Sequence, residues 1–549
     1  MSTKTKILLF LIVLSGLFFN LAFKDKAPAC FNADEASFSY NAYSIAKTGR
    51  DEYGTFLPLR LKSFGDFKLP LLTYITVPFV GTLGLNETTA RLPNTILSMI
   101  LPLVIFFLVK ELFERDDVAL LTAFLITGCL GLNIVGRHLH EAYLSVLLIS
   151  AAFLFYVKIL KKFTWKNASL FLLFIFLSLF TYHFSRIFAA GFFVYSLFQF
   201  WPKKAESNQK KKTGRLFIGA MIGVLLLFAL TDIIYKPERV KNLLYFNNPG
   251  YVKKIQELRE EGGFRVFYNK LTPGVKEVIS TSMTYFSPQF LVISGDENPR
   301  FGFNSMSTIT MIEYIFAIFG IYFLFRNKER FRGILILLLL LTPLAASLSW
   351  AGLSLTRTLF IFIPVLTLAS YGFFQTLATL KDKRVRQLGL VLCVGVYMVL
   401  MYYQWDFYLF HYPRRAIVVR AWQCGNKEMV DYVQKNYNKY DRFYITKLNG
   451  QPYIYMLFYM SYPPEKYQKV AKLSPPDKYG FGQVESFDKF IFNFQVPKKE
   501  AKENALLVGF PTDDFKSQAT TVPNLDSVKV IRKETEEMFW LYDNKKLNH

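Results

Sequence analysis

Cysteine is scarce in this chain. There are four in 549 residues, at 30, 129, 393 and 424, too few for a disulfide scaffold. Cys129 and Cys393 sit inside apolar runs; Cys30 and Cys424 can meet only if their segments share a compartment. Charge is scarce too, at 19% of residues, and acid is the scarcer sign, 41 Asp and Glu against 65 Lys and Arg for a formal net charge of +24. The surplus base does not read as a nucleic-acid surface, because most of it clusters between apolar runs, where membrane topology accounts for it. An internal repeat is also missing, which weighs against inverted-repeat transporter architectures. What the chain has in excess is apolar and aromatic surface: 52% hydrophobic residues, 57 Phe and 32 Tyr, with a mean hydropathy of +0.24. A single soluble core is excluded, and the composition is that of a polytopic membrane protein.

Apolar stretches of near-spanning length fall at about 7–23, 94–112, 118–135, 143–160, 168–184, 187–201, 216–235, 310–326, 333–350, 358–378 and 387–409. A twelfth, 69–86, is short and broken by Pro70, Pro78, Gly81 and Gly84. Loop charge sets its status. If 69–86 is juxtamembrane or re-entrant and the N-terminus is cytoplasmic, the loops at 161–166, 202–215, 326–332 and 381–386 all fall inside. These are the basic loops, the second with five lysines and Arg215 against Glu206 alone, so eleven crossings obey the positive-inside rule and twelve reverse it. The opening apolar run is then an anchor rather than a cleaved signal, since no small-x-small site follows it cleanly.

With that parity, 24–93, 136–142, 236–309 and the tail from 410 to 549 are extracytoplasmic. The expected division is a transmembrane module over 1–409 and an extracytoplasmic α/β domain over 410–549. In the tail, strand-like runs at 441–446, 504–510, 527–533 and 538–543 alternate with a helix-like stretch at 451–460. Nothing in it resembles a nucleophile elbow, a P-loop or a zinc ribbon, which points the chemistry elsewhere.

Charged residues concentrate in the outer loops instead. Asp34 and Glu35 follow the first span closely, near the membrane surface. Asp34 either caps a helix over 35–47, which Asp does well, or serves as a general base toward an acceptor hydroxyl. Lys68 lies at headgroup depth before the ambiguous run, placed either to snorkel or to pair with a lipid phosphate. Arg137 and Glu141, spaced i to i+4, would share one helical face as a structural ion pair or as part of a site. His138 and His140 beside them point apart at i, i+2 and do not make a metal pair. Arg186 and Tyr182 mark the outer turn before the sixth span. Asp296, Glu297, Asn298 and Arg300 precede the eighth, without the ligand spacing of a calcium loop.

Taken together, these pieces resemble the polytopic lipid-phosphate-sugar glycosyltransferases of GT-C architecture, especially bacterial relatives of protein O-mannosyltransferases and aminoarabinose transferases. The likeness runs over nearly the whole chain. Its carriers are DEASFSYNAYSIAKTGRDEYG at 34–54, KLPL at 68–71, GLNETTARLPN at 84–94, Arg137 with Glu141, GDENPR ending at Arg300, and SLTRTLFIFIP with Arg357. It departs from the pattern at Leu69, where Pro is usual, and at Glu141, where Asp is common.

The resemblance implies Asp34 as the base, with Glu35 and Glu141 as accompanying acids. It gives Lys68, Arg137, Arg300 and Arg357 to the donor phosphate. The implied reaction is inverting: sugar passes from a polyprenyl phosphate to a hydroxyl on protein, glycolipid or polysaccharide, at the outer face of a bacterial-type plasma membrane. No metal site or other cofactor is indicated, since cationic side chains can stabilise a leaving monophosphate, and no nucleic-acid partner is expected. The rival classes are a lipid-linked sugar flippase, whose ionisable groups would lie near mid-membrane, and a non-catalytic scaffold displaying the tail.

Overall fold

The computed structural model describes residues 1–64, 66–201, 207–235, 244–302, 304–350, 352–448, 450–475, 483–492, 504–511 and 527–543. Residues 202–206 of the expected basic loop, 236–243 and 303 of the third outer segment, and several stretches of the expected tail domain lie outside these. The chain divides into two compact units, one of Met1–Lys24 with Asn94–Tyr408, the other of Asp25–Pro93 with Leu409–His549. The second break lies between Tyr408 and Leu409. The first outer segment, however, clusters with the tail rather than with the helices that flank it in sequence.

The first unit is helical: α1 (Thr3–Leu21), most of α4 (Glu87–Phe113), α5 (Asp116–Gly128), α6 (Leu130–Gly136), α7 (Glu141–Lys161), α8 (Trp165–Leu179), α9 (Ser185–Phe200), α10 (Asn208–Tyr235), α11 (Pro249–Glu260), α12 (Thr272–Phe286), α13 (Met311–Arg326), α14 (Arg332–Ser347), α15 (Phe362–Thr379) and α16 (Lys383–Asp406). Each of the eleven expected crossings falls on a helix or on the α5–α6 pair. Among the described residues, length and composition nevertheless qualify six helices as spans, or up to seven if the α5–α6 pair, bent by 54°, is one span. The count of eleven is not reached because α8, α9, α13 and α14 are only 15 or 16 residues long, about 22–24 Å against a hydrocarbon core of about 30 Å.

The α5–α6 break is built rather than frayed. The Asn133 amide donates to the carbonyls of Thr127 (2.9 Å) and Cys129 (2.8 Å), and Gly131 N–H goes to Thr308 O (2.9 Å). The backbone groups the bend releases are thereby satisfied inside the protein. α13 and α15 approach backbone to backbone through glycine: a Cβ on Gly320 would lie 2.0 Å from Leu368 O, and one on Gly372 2.1 Å from Phe316 O.

The second unit combines α2 (Ala33–Thr48), the hairpin β1–β2 (Leu61–Ser63, Asp66–Lys68) and α3 (Leu71–Leu83) with the tail. At 13 residues α3 is about 20 Å long, too short to span. The tail contributes α17 (Ala416–Ala421), α18 (Asn426–Lys435), α19 (Pro452–Tyr459), α20 (Pro464–Val470) and a seven-stranded sheet. Its strands are β3 (Arg442–Ile445), β4 (Lys472–Leu473), β5 (Val484–Phe487), β6 (Phe490–Ile491), β7 (Ala505–Gly509), β8 (Ser527–Lys533) and β9 (Glu536–Asp543), in the order β4-β5-β6-β3-β7-β9-β8. β3 runs parallel to β6 and β7, and the other pairings are antiparallel. β7, buried at all five positions, is a central strand without alternation, as two covered faces require. The four strand-like runs and the helix-like run read from the tail are β3, β7, β8, β9 and α19.

First loop and tail are one core. Phe31 stacks on Phe458 with centroids 4.6 Å apart, Tyr40 OH donates to Tyr462 O at 2.8 Å, and Cys30 is disulfide-bonded to Cys424.

Candidate functional site

α2 begins at a capping box. Asn32, not Asp34, is the cap: its Oδ1 accepts the N–H groups of Asp34 (2.9 Å) and Glu35 (3.1 Å), while Glu35 accepts the Asn32 N–H at 3.2 Å. Asp34 is thereby left with a side chain 47% exposed in the first turn, and Lys68, 14% exposed, donates to its Oδ1 at 2.8 Å. The hairpin register, Leu61 opposite Lys68, sets where that lysine emerges. Its ammonium lies 4.6 Å from the centroids of both the Phe38 and Phe64 rings, a cation–π clamp that restrains a normally mobile side chain. Asp34, Phe38 and Asn41 stand at i, i+4 and i+7, one face of α2.

Glu35 points the other way and is fully buried. Arg91 grips it through both oxygens, Nε to Oε1 at 2.7 Å and Nη2 to Oε2 at 2.9 Å, and Arg91 Nη2 also donates to Cys30 O at 2.9 Å. This is a buried bidentate pair of structural character, so the adjacent acids of the first loop have separate environments.

The sequence reading passed over a second acidic pair, Asp51–Glu52, although it lies within the quoted motif. Both are buried. Asp51 Oδ1 accepts from Tyr53 N (3.0 Å) and Thr55 N (2.8 Å), while Asp51 Oδ2 and Glu52 Oε2 have no partner among the described residues. Burial first, then the neighbouring Asp51 charge, pushes the Glu52 carboxyl up to about 8, against the opposing pull of Asn41, Lys68 and Tyr453. Burial raises Asp51 as well. Tyr453 OH reaches Glu52 Oε1 at 3.4 Å, and Glu52 N–H donates to Asn41 Oδ1 at 2.9 Å. The Asp-Glu pair occurring twice between residues 34 and 52 is the signal that could have drawn attention to them.

The other candidates belong to the helical unit. Arg137 ends α6 and is buried. Its Nη1 donates to Phe19 O and its Nη2 to Ala22 O (2.7 Å), with Trp405 and Tyr408 rings at 5.9 Å. Glu141 opens α7, so the shared helical face expected of Arg137 and Glu141 does not form. The chain breaks between them, and His140 caps α7 by accepting the Ala142 N–H at Nδ1 (3.1 Å).

Asp296 is buried between two loops: its Oδ1 accepts Asn298 N–H (2.7 Å) and its Oδ2 accepts Leu355 N–H (2.5 Å). Burial lifts its carboxyl to about 6. Asp296 thus anchors the loop that carries Arg357, while Arg300, half-buried, follows in an Asx turn closed on Asn298. Arg357 borders a cavity of about 200 Å³ with Tyr182, His183, Arg186 and Ser349. Arg186 pairs with Asp232 at 3.1 Å. Arg186 Nε and Arg357 Nη1 are buried donors with no acceptor among the described residues, an arrangement that suits an anion. The structure therefore brings Asp34, Glu35 and Lys68 together in one unit and places Arg137, Glu141, Arg300 and Arg357 in the other. Among the described residues no group of three or more His, Cys, Asp or Glu is arranged to hold a metal.

Among solved structures, ArnT from Cupriavidus metallidurans in the apo state matches with a TM-score of 0.58 at 12% identity, over 99% of this chain and 99% of that one. The chain has the GT-C fold. ArnT bound to undecaprenyl phosphate matches with the same TM-score of 0.58 at 11% identity, over 100% of this chain and 99% of that one. The Archaeoglobus fulgidus oligosaccharyltransferase tethered to an acceptor peptide containing the NVT sequon matches with a TM-score of 0.50 at 11% identity, over 84% of this chain. The chain spans 63% of that protein's length. No family model and no curated protein matches the sequence, so at these identities the GT-C likeness is one of fold.

Proposed function

We propose that the protein is an integral membrane glycosyltransferase that moves a sugar from a polyprenyl phosphate to a hydroxyl acceptor, with inversion, on the extracytoplasmic face. The observation that carries this reading is the half-exposed Asp34 at the start of α2, held by a lysine clamped between two phenylalanines. Asp34 takes the proton of the acceptor hydroxyl as its oxygen attacks the anomeric carbon. The new C–O bond forms as the anomeric C–O(phosphate) bond breaks, and the electron pair leaves on the lipid phosphate. Lys68 steadies Asp34 and offers positive charge to the departing phosphate.

Of Arg137, Arg300 and Arg357, the last fits phosphate recognition best, because its Nη1 is a buried donor with no acceptor among the described residues and its side chain borders the cavity shared with Arg186. Arg137 is committed to backbone carbonyls. Glu35 serves by fixing α2 through Arg91, and Glu141 is the second-loop acid offered to the acceptor. The fold shared with a protein that binds undecaprenyl phosphate and with one that takes an acceptor peptide supports both substrate classes. The Cys30–Cys424 disulfide supports an oxidising compartment for the first loop and the whole tail from 410 to 549, and the basic loops support a cytoplasmic side opposite it.

The test is transfer of radiolabel from undecaprenyl phosphate carrying mannose, glucose, galactose or aminoarabinose, in vesicles containing wild type or Asp34→Asn, with membrane extract as acceptor. Label transfer that falls about 10²-fold or more in Asp34→Asn is expected. Full activity in the variant at equal protein level would overturn the mechanism, and protein-dependent movement of the lipid-linked sugar across the bilayer without transfer would favour the flippase.

A further inference from the structure

The first N–H groups of a helix have no partner inside the helix and ordinarily face water or a cap. In α2 the cap Asn32 takes those of Asp34 and Glu35. The N–H of Ala33, the first helical residue, is taken by a side chain 390 residues away: it donates to Gln423 Oε1 at 3.0 Å. The same oxygen accepts Tyr455 OH at 2.9 Å, so both of its lone pairs are directed.

Gln423 is itself held in an uncommon state. Its φ is +57°, a left-handed conformation that costs a non-glycine residue energy and persists only where its surroundings over-determine it. Those surroundings are on either side. Gln423 N–H goes to Arg420 O (2.9 Å), Asn426 Nδ2 donates to Gln423 O (2.7 Å), and the next residue, Cys424, is buried and disulfide-bonded to Cys30. Space for the side chain is kept by Gly450, φ +103°, where a Cβ would fall 2.0 Å from Gln423 Nε2.

We propose that Gln423 is a positioning residue for Asp34: the tail's Gln423–Cys424 turn fixes the first turn of α2 and so aims the half-exposed Asp34 carboxylate carried on it. The inference rests on the reading of Asp34 as the base. It gives the tail a part in the reaction, as the outer wall of the catalytic helix rather than an appended module. The disulfide sets the distance and the Gln423 amide oxygen sets the orientation.

Two variants separate orientation from mere packing. Gln423→Leu keeps the bulk and removes the acceptor; Gln423→Glu keeps an acceptor for both donors. With the most active donor from the vesicle assay, kcat of Gln423→Leu is expected to fall about 10–100-fold with KM within about twofold, since a small misplacement of a reacting group is costly. Gln423→Glu should retain most of kcat, with the acid limb of its pH profile moved upward by the new charge beside Asp34. Gly450→Ala, which crowds Gln423 and also strains a backbone held at φ +103°, should show a defect at least as large as the leucine one.

An activity-independent arm reads the same contact: hydrogen exchange in the peptide covering 31–38 should speed roughly tenfold in Gln423→Leu and stay slow in Gln423→Glu. Unchanged exchange and kcat in Gln423→Leu, or equal losses in the Leu and Glu variants, would overturn the proposal. If Asp34→Asn is active while Gln423→Leu still loosens the 31–38 amides, the reading of Asp34 fails and the clamp stands as a structural one.

Discussion

Four carboxylates within twenty residues of one loop are driven to different states by their surroundings alone. Asp34 is half-exposed and paired with Lys68, Glu35 is buried and doubly bonded to Arg91, and Asp51 and Glu52 are buried with an oxygen apiece lacking a partner among the described residues. For Glu52 the consequence is a pH dependence of stability whose sign is fixed. Its carboxyl is pushed up from 4.5 to about 8, so the folded state holds the proton that the unfolded chain has released. The stabilisation is complete below the unfolded value and is lost as pH rises through about 8. Glu52→Gln removes the cost of taking up that proton on folding, on the order of 3 kcal/mol at pH 7. The melting temperature of the wild type in detergent should fall between pH 6 and pH 9 while that of the variant stays flatter, and parallel curves would refute the assignment. Glu35→Gln should act oppositely, destabilising by about 3–5 kcal/mol because Arg91 is left buried without its counter-charge, measurable as a lower melting temperature at every pH from 6 to 9. Order and spacing single out Asp34 and Lys68 in the sequence as candidates, but not their pairing with each other, which needs the hairpin to bring them together. The fate of Asp51 and Glu52 was not legible there either, since their burial depends on tyrosines such as Tyr453 some 400 residues further along.

At the scale of elements, hydropathy located the helices and misjudged their reach. Every apolar run became helical, but the 17-residue run 168–184 stops being helical at Leu179 and the 18-residue run 333–350 at Ser347, leaving α8 with 15 residues and α14 with 16. The break at Cys129 was invisible because Asn133, the residue that satisfies it, reads as one polar position in an apolar stretch. Close helix contact was equally hidden, since a glycine inside a span has no distinguishing neighbour in one dimension. Gly320 and Gly372 reveal their role only when α13 and α15 are set together. Replacing either with alanine places a methyl about 1 Å inside contact distance of a backbone oxygen, which no side-chain rotation relieves. Each substitution is expected to destabilise by about 1–3 kcal/mol, read as a lower temperature of thermal aggregation. Gly219→Ala on α10, whose Cβ would meet nothing within 4 Å, should leave that temperature within a degree or two of wild type or raise it slightly. Equal effects at the two kinds of glycine would show that close approach is not what Gly320 and Gly372 provide.

For the molecule as a whole, connectivity is the unexpected property. A division into membrane part and tail follows the order of the chain, whereas the compact unit that contains Asp34 is assembled from two segments separated by more than 300 residues. Composition could not reveal this, because the first outer segment has the polarity of any long loop. Only the possible meeting of Cys30 and Cys424 hinted at it, and one sequence left that open. The bond makes a sharp prediction about covalent structure. A protease site inserted after Ser207, ahead of α10, cuts the chain into a fragment bearing Cys30 and one bearing Cys424. After cleavage and denaturation in SDS without reductant, the two fragments should migrate together near the 63.7 kDa of the intact chain and part on addition of dithiothreitol. Cys30→Ser should part without reductant. If the cleaved wild type separates before reduction, the two cysteines are not joined in the cell, and the first turn of α2 is held by its non-covalent partners, among them Asn32, Gln423 and Arg91. If it stays joined, protein made in a strain unable to form disulfides should lose transfer activity through kcat more than through KM, because what loosens is the placement of the base rather than the grip on the donor.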